Sequence, residues 1–232
     1  MIILSPRLAA AAAYVLPGRP LADIGTDHAY LPAHLVQAGA IPRAIAGDVL
    51  PGPLDAARST VQEAGLTQQI ELRLGNGLKI LKPGEVATVT ICGMGGPLIA
   101  EILEAGPLAG VERLVLQPMG GEETLRRWLM EHGWYIIDEK LVEDGGRIYA
   151  VMAAEPGHMD LTWADAFLGP HLLKKGGPLL KRYAAIFLEQ ARRAYEGAGR
   201  SDRPEALARR RELQIRINLL EEVIRNAEQH HR

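Results

Sequence analysis

Four times between residues 20 and 96 an apolar run ends at a glycine set beside a polar residue: Asp23-Ile24-Gly25, Gly47-Asp48, Gly75-Asn76-Gly77 and Cys92-Gly93-Met94-Gly95-Gly96. The segments that carry these loops, 20–24, 43–49, 70–77 and 86–96, are short and rich in Ile, Val, Leu and Ala, as strands buried on both faces are. Helical patterns separate them. Leu31, Leu35 and Val36 share one face of the first, Gly65 closes the second, and a third runs from about 97 to 105. A fifth strand-like run, 111–121, precedes the helical stretch EETLRRWLMEHG. Last come two strand patterns joined by Asp144-Gly145-Gly146, which predicts an antiparallel pair. Strands alternating with helices build a mostly parallel, doubly wound α/β sheet, and such a sheet binds its ligand at the carboxyl ends of the strands.

The residues at those ends narrow the ligand. After Gly25 the chain continues Thr26, Asp27, His28, Ala29, Tyr30. The dinucleotide fingerprint G-x-G-x-x-G is absent, because positions 27 and 30 are Asp and Tyr. Asp27 would repel a pyrophosphate, so NAD and FAD fit poorly. S-adenosylmethionine presents a sulfonium, an amino group and ribose hydroxyls, which acidic side chains suit. Asp48, next to Val49 and 25 residues after Asp23, stands where an acid takes ribose hydroxyls. Asn76, between glycines, can meet an adenine edge. Turn glycines and capping acids of an unrelated α/β protein remain the competing explanation on these residues alone.

The rest of the chain adds bounds. Cys92 is the one cysteine, so no intramolecular disulfide forms, and no metal-binding constellation is present; His230 and His231 make no site. The apolar N-terminus lacks the basic region of a signal peptide. Instead Ser5-Pro6 predicts a helix start with Ser as cap and Pro at the first position. No stretch approaches ~18 uninterrupted apolar residues, so we expect no membrane partner and a cytoplasmic location. Residues 1–156 form one expected domain, with 12 Lys/Arg against 18 Asp/Glu. Residues 157–232 form a second, with 14 Lys/Arg against 10 Asp/Glu. There, Leu180, Tyr183/Ala184, Phe187, Ala191 and Ala194 predict one helix. A break capped by Ser201 or Asp202 follows. Leu213, Ile217, Leu220, Ile224 and Ala227 then repeat in the rhythm of a coiled-coil seam. The expectation is a basic helical hairpin that meets a polyanion; a solvated helical surface explains the charge equally.

The motifs LSPRL, ADIGTDHAYLP, AIAGDV, LGNGL, ICGMGG and LQPM, in this order and followed by that hairpin, resemble the bacterial tRNA (adenine(22)-N(1))-methyltransferase family, TrmK. The resemblance spans the whole chain. It implies a class I, Rossmann-like methyltransferase with a seven-stranded sheet and a coiled-coil-like C-terminal domain. It further implies S-adenosyl-L-methionine as methyl donor, S-adenosyl-L-homocysteine as product and N1 of a tRNA adenine as acceptor. Two departures stand out: Asp48 where Glu is associated with the family, and Cys92 where a small Ala is commoner.

Through that resemblance the loops acquire roles. Gly25 lets the backbone approach the methionine part of the cofactor, Asp23 reaches its amino group, and Arg7 meets its carboxylate. Asp48, Val49, Asn76, Gly77, Cys92, Gly93 and His28 complete the expected cofactor set, with Cys92 a strand-end residue and not a nucleophile. Methylation leaves the purine cationic. Asp27 is therefore the expected charge-stabilising group, with His28 orienting the base or relaying a proton and Tyr30 stacking on it. Met94, Gly95, Gly96, Gln117 and Pro118 are expected around the base, and Arg192, Arg193, Arg209 and Arg210 along the tRNA. Competing readings are a small-molecule or protein methyltransferase, a non-catalytic RNA-binding protein on this fold, and a dehydrogenase. The hairpin is compatible with a monomer or a weak homodimer.

Overall fold

The computed structural model describes residues 1–198 and 203–229. The chain divides into two compact units, Met1–Leu161 and Thr162–Arg232. Ser201, Asp202, His230 and His231 lie outside the described residues.

The first unit is a seven-stranded sheet of β1 (Leu21–Ile24), β2 (Ala44–Asp48), β3 (Ile70–Leu74), β4 (Thr88–Met94), β5 (Arg113–Pro118), β6 (Trp134–Asp144) and β7 (Arg147–Pro156). Their order is β3-β2-β1-β4-β5-β7-β6. The first five strands are parallel, and β7 runs antiparallel to both β5 and β6. Helices connect the parallel strands: α2 (Tyr30–Gln37), α3 (Pro51–Glu63), α4 (Gly96–Glu104) and α5 (Glu122–Glu131), with α1 (Pro6–Ala12) ahead of β1.

Alternation along each strand divides the core between the two faces of the sheet. Leu21, Ala44, Ala46, Val115 and Val151 pack with α1, α2 and α3. Ala22, Ile24, Ile91, Leu114 and Leu116 pack with α4 and α5. Both faces are covered, which is why these strands read as apolar runs. Within the second cluster's layer a buried ion pair, Arg126 Nε to Glu139 Oε1 at 2.7 Å, joins α5 to β6 with both side chains at 0% exposure. As the sequence predicts, Ser5 caps α1, its Oγ accepting from Leu8 N at 3.5 Å, and Pro6 opens the helix.

Among its described residues the second unit holds four helices: α6 (Trp163–Leu168), α7 (Pro170–Lys175), α8 (Pro178–Ala198) and α9 (Pro204–Gln229). The predicted hairpin is α8 with α9, and the two short helices before it are an addition. Thr162 and Asp165 cap α6 reciprocally. Arg210 meets Tyr195 and Arg192 meets Glu221, so α8 and α9 run antiparallel. On α9, Leu213, Ile217, Leu220, Val223 and Ala227 are buried, whereas Ile224 is only partly so. On α8, Ala194 is exposed and Tyr195 sits on the inner side. A straight helix drifts against a strict seven-residue repeat, which moves the contact stripe by one residue at the far end.

Candidate active site

The strand order reverses between β1 and β4, and a cavity of about 590 Å³ opens at their carboxyl ends. Arg7, Asp23, Gly25, Asp27, His28, Tyr30, Asp48, Cys92, Gly93 and Met94 line it. The geometry of the β1 loop explains the shape. Gly25 has φ +70°, and a side chain there would strike the Met94 Sδ–Cε end. Gly25 N and Thr26 N both donate to Gly47 O, at 2.9 and 3.0 Å, tying the first loop to β2.

The carboxylates differ. Asp23 is buried, its two oxygens accepting from the Thr26 and Thr90 hydroxyls at 2.6 Å each. Burial raises its pKa above the ordinary aspartate range, and these two hydrogen bonds oppose the rise. Asp48 accepts from Leu50 N at 3.0 Å and Asp27 N at 3.3 Å, which fixes its carboxylate at the cavity wall. Asp27 is 69% exposed, and its Oδ1 lies 3.7 Å from His28 Nε2. His28 stacks on Tyr30 with centroids 5.1 Å apart and planes at 9°. Asp27 and Ala29 both take φ of 53°, a left-handed backbone that costs a non-glycine residue about 1–2 kcal/mol. The strain presents an acid, an imidazole and a phenol together at the rim.

Arg7 comes from α1. Its Nη1 donates to Gln117 Oε1 at 2.6 Å, and its guanidinium lies 5.8 Å from the Tyr149 ring. Cys92 also faces the cavity; burial first, then the Asp23 carboxylate, push its thiol well up, which leaves it protonated and a poor nucleophile.

Other predicted residues lie elsewhere. Val49 and Asn76 are exposed at the ends of β2 and β3, outside the cavity lining. Gly77 abuts Ile102, whose Cγ2 is 2.9 Å from where a Cβ would be, so packing accounts for that glycine. Gly96 is packed against the backbone of Gly121 and donates to Gly120 O at 2.7 Å, so it has no room for a base. Gly95 has nothing nearer than Pro97 Cδ at 3.9 Å. Gln117 is fully buried and does not line the cavity, whereas its partners Arg7 and Gly93 do, which corrects its expected place beside a substrate. Pro118 is buried as well. Arg192, Arg193, Arg209 and Arg210 belong to the second unit, where Arg192, Arg193 and Arg209 pair with Glu221, Glu189 and Glu212. Arg210 lies over the Tyr195 ring at 4.7 Å.

Ile3, Leu4, Ser5, Leu8 and Thr26 also line the cavity and Thr90 holds Asp23, although the sequence assigns none of them a site role. The N-terminal residues are pinned there by Gln37, which accepts from Ile2 N at 2.9 Å, and by His34 Nδ1, 2.8 Å from Ile2 O. A threonine inside a buried parallel strand was the one available signal for Thr90. Among the described residues no group of three His, Cys, Asp or Glu could hold a metal ion.

Sheet order, switch point and this cavity define a class I, Rossmann-like methyltransferase fold. The family model for tRNA (adenine(22)-N(1))-methyltransferase, TrmK, matches residues 21–222. The tRNA (adenine(22)-N(1))-methyltransferase of Bacillus subtilis is 40% identical over 231 residues, covering 95% of this chain and 97% of that one. The crystal structure of the B. subtilis M1A22 tRNA methyltransferase TrmK superposes with a TM-score of 0.91 at 36% identity, over 97% and 100% of the two chains. A Streptococcus pneumoniae protein solved in complex with S-adenosyl-L-methionine gives 0.87 at 39%, over 96% and 100%. The chain belongs to the tRNA (adenine(22)-N(1))-methyltransferase family.

Proposed function

We propose that the cavity between β1 and β4 is where this S-adenosylmethionine-dependent tRNA (adenine-N1)-methyltransferase brings its two substrates together. The observation that carries the reading is the graded wall. Asp23, Asp48 and Arg7 form a polar inner lining, while Asp27, His28 and Tyr30 stand exposed at the rim. The left-handed turn at Gly25 brings backbone to the cavity wall beside the methionine chain of the cofactor, which supplies an electrophilic methyl on a sulfonium. Arg7 takes the carboxylate, Asp23 the amino group through its remaining lone pairs, and Asp48 the ribose hydroxyls. Past Asp48 the adenine extends beyond the cavity to the ends of β2 and β3, where the exposed Val49 and Asn76 flank it, and Cys92 and Gly93 close the cavity floor.

The target adenine needs positioning more than a strong base, because N1 carries a lone pair. Tyr30, already stacked on His28, offers a face for the base, and Gly95 and Met94 bound its other side. As the N1–methyl bond forms, positive charge spreads over the purine and acidifies its exocyclic amine. The Asp27 carboxylate stabilises that charge and can accept the proton, with His28 near enough to relay it. The arginines of α8 and α9 hold the tRNA backbone while the base is splayed out, in the cytoplasm.

The test is nucleoside mass spectrometry of tRNA incubated with the protein and methyl-labelled cofactor. The expected product is 1-methyladenosine carrying the label. Label on any other nucleoside, or none at all, refutes the reading.

A further inference from the structure

The carboxamide of Gln117, at the end of β5, is fully buried and bonded on both sides. Its Oε1 accepts from Arg7 Nη1 at 2.6 Å and from Gly93 N at 3.1 Å. Its Nε2 donates to Pro118 O at 2.7 Å and lies 3.9 Å from Met119 Sδ. Arg7 and Gly93 line the cavity from different elements, α1 and the β4 loop, and Gln117 is the atom-level link between them. Arg7 has two further neighbours, Asp144 with Oδ2 4.0 Å from its Nε and the Tyr149 ring at 5.8 Å. Of these three, only Gln117 lies within hydrogen-bond distance of the guanidinium.

The type of side chain matters. A carboxylate at this position would face the Pro118 carbonyl with like polarity and would neutralise Arg7. A neutral amide orients the guanidinium and leaves its charge for an anionic ligand. The Nε2 bond to Pro118 O sets which end of the amide points at Arg7, because reversal would set two N–H donors against Arg7 and Gly93.

We propose that Gln117 is a positioning residue for cofactor binding: it aims the Arg7 guanidinium into the cavity and locks it to the Gly93 peptide, without touching a substrate itself. The inference rests on the reading of Arg7 as the partner of the cofactor carboxylate. The test is a double-mutant cycle in the full-length protein, with S-adenosylhomocysteine affinity measured by calorimetry. Melting temperatures are recorded alongside. Arg7→Ala and Gln117→Met are each expected to weaken binding by about tenfold or more, the scale of one charge-assisted hydrogen bond. The double variant should then bind no worse than Arg7→Ala alone, because Gln117 acts only through Arg7. A role in folding alone would lower the melting temperature and leave the two losses multiplicative. Multiplicative losses, or a folded Gln117→Met that binds like wild type while Arg7→Ala does not, overturn the proposal and leave the Arg7 reading standing. An Arg7→Ala variant that binds like wild type removes that reading, and the proposal with it. Should Gln117→Met fail to fold, Gln117→Asn, whose amide is drawn back by one methylene, takes its place in the cycle, and the same outcomes support or overturn the proposal.

Discussion

Two adjacent glycines should respond very differently to the same substitution. At Gly96 an added Cβ would lie 2.7 Å from the Gly121 carbonyl carbon, 3.2 Å from Gly120 O, and nearer still to Gly121 O. Backbone cannot rotate away as a side-chain tip can, so the β4 and β5 loops must part by roughly 1 Å, costing about 1–3 kcal/mol in overpacking. That movement stretches the 2.7 Å bond from Gly96 N to Gly120 O beyond useful length and strains the 2.8 Å bond from Met119 N to Met94 O. Breaking a buried backbone bond adds about 1–3 kcal/mol. Gly96→Ala is therefore expected to destabilise the first unit by about 2–6 kcal/mol. Gly95 has an ordinary φ of −66° and open space around it. Its Ala variant loses a little as a helix cap and gains through a stiffer unfolded chain, a net change within about 1 kcal/mol. Urea unfolding compares the two, and calorimetry with S-adenosylhomocysteine should find Gly95→Ala unimpaired. Methylation of tRNA should nevertheless fall in that variant, since the new methyl occupies the space assigned to the base. Equal stability losses at both positions would refute the packing argument, and full tRNA turnover by Gly95→Ala would move the base elsewhere.

Asp27→Asn keeps a residue type that tolerates φ of 53° and removes the charge. Single-turnover methylation should drop by about 10²-fold or more with cofactor affinity nearly unchanged, and a few-fold effect would pass the role to His28. Arg126→Met strands the Glu139 carboxylate in the core and should cost about 3–5 kcal/mol by denaturant titration, while adding Glu139→Leu should recover most of it. Glu85 is held down to about 2, first by the Arg73 fork at 2.6 and 2.8 Å, so its folded pKa lies below its unfolded value of 4.5. Its stabilising contribution is thus present above pH 4.5 and lost as pH falls through about 2, and Glu85→Gln should flatten acid unfolding in that window. For Asp23 the sign reverses: burial raises the folded pKa above 3.8, so stability declines as pH rises from there, and Asp23→Asn should remove that decline. Replacing Arg209 and Arg210 by Gln should lower the slope of log affinity for tRNA against log salt by about one for each phosphate no longer neutralised; an unchanged slope would assign the charge to solvation.

Local physics settled much from the residues alone. Strand ends marked by Gly25, Asp48, Asn76 and Gly93, the Ser5-Pro6 helix start and the Gly145-Gly146 turn depend on neighbours a few positions away, and the fold contains each of them. Period and turn chemistry are written in consecutive residues. The two short helices α6 and α7 escaped because six residues hold too few turns to show a period. What tertiary structure decided is everything that depends on which distant groups meet. Arg7 reaches Gln117 across 110 positions, Gly96 is a glycine because Gly121 backbone lies against it, and Asp23 becomes a buried acid because Thr90 arrives from β4. Ile3, Leu4 and Ser5 line the cavity while His34 and Gln37 of α2 hold the neighbouring Ile2. Sheet order brings these pairs together, and no periodicity encodes it, since strand pairing depends on interactions summed over the whole core.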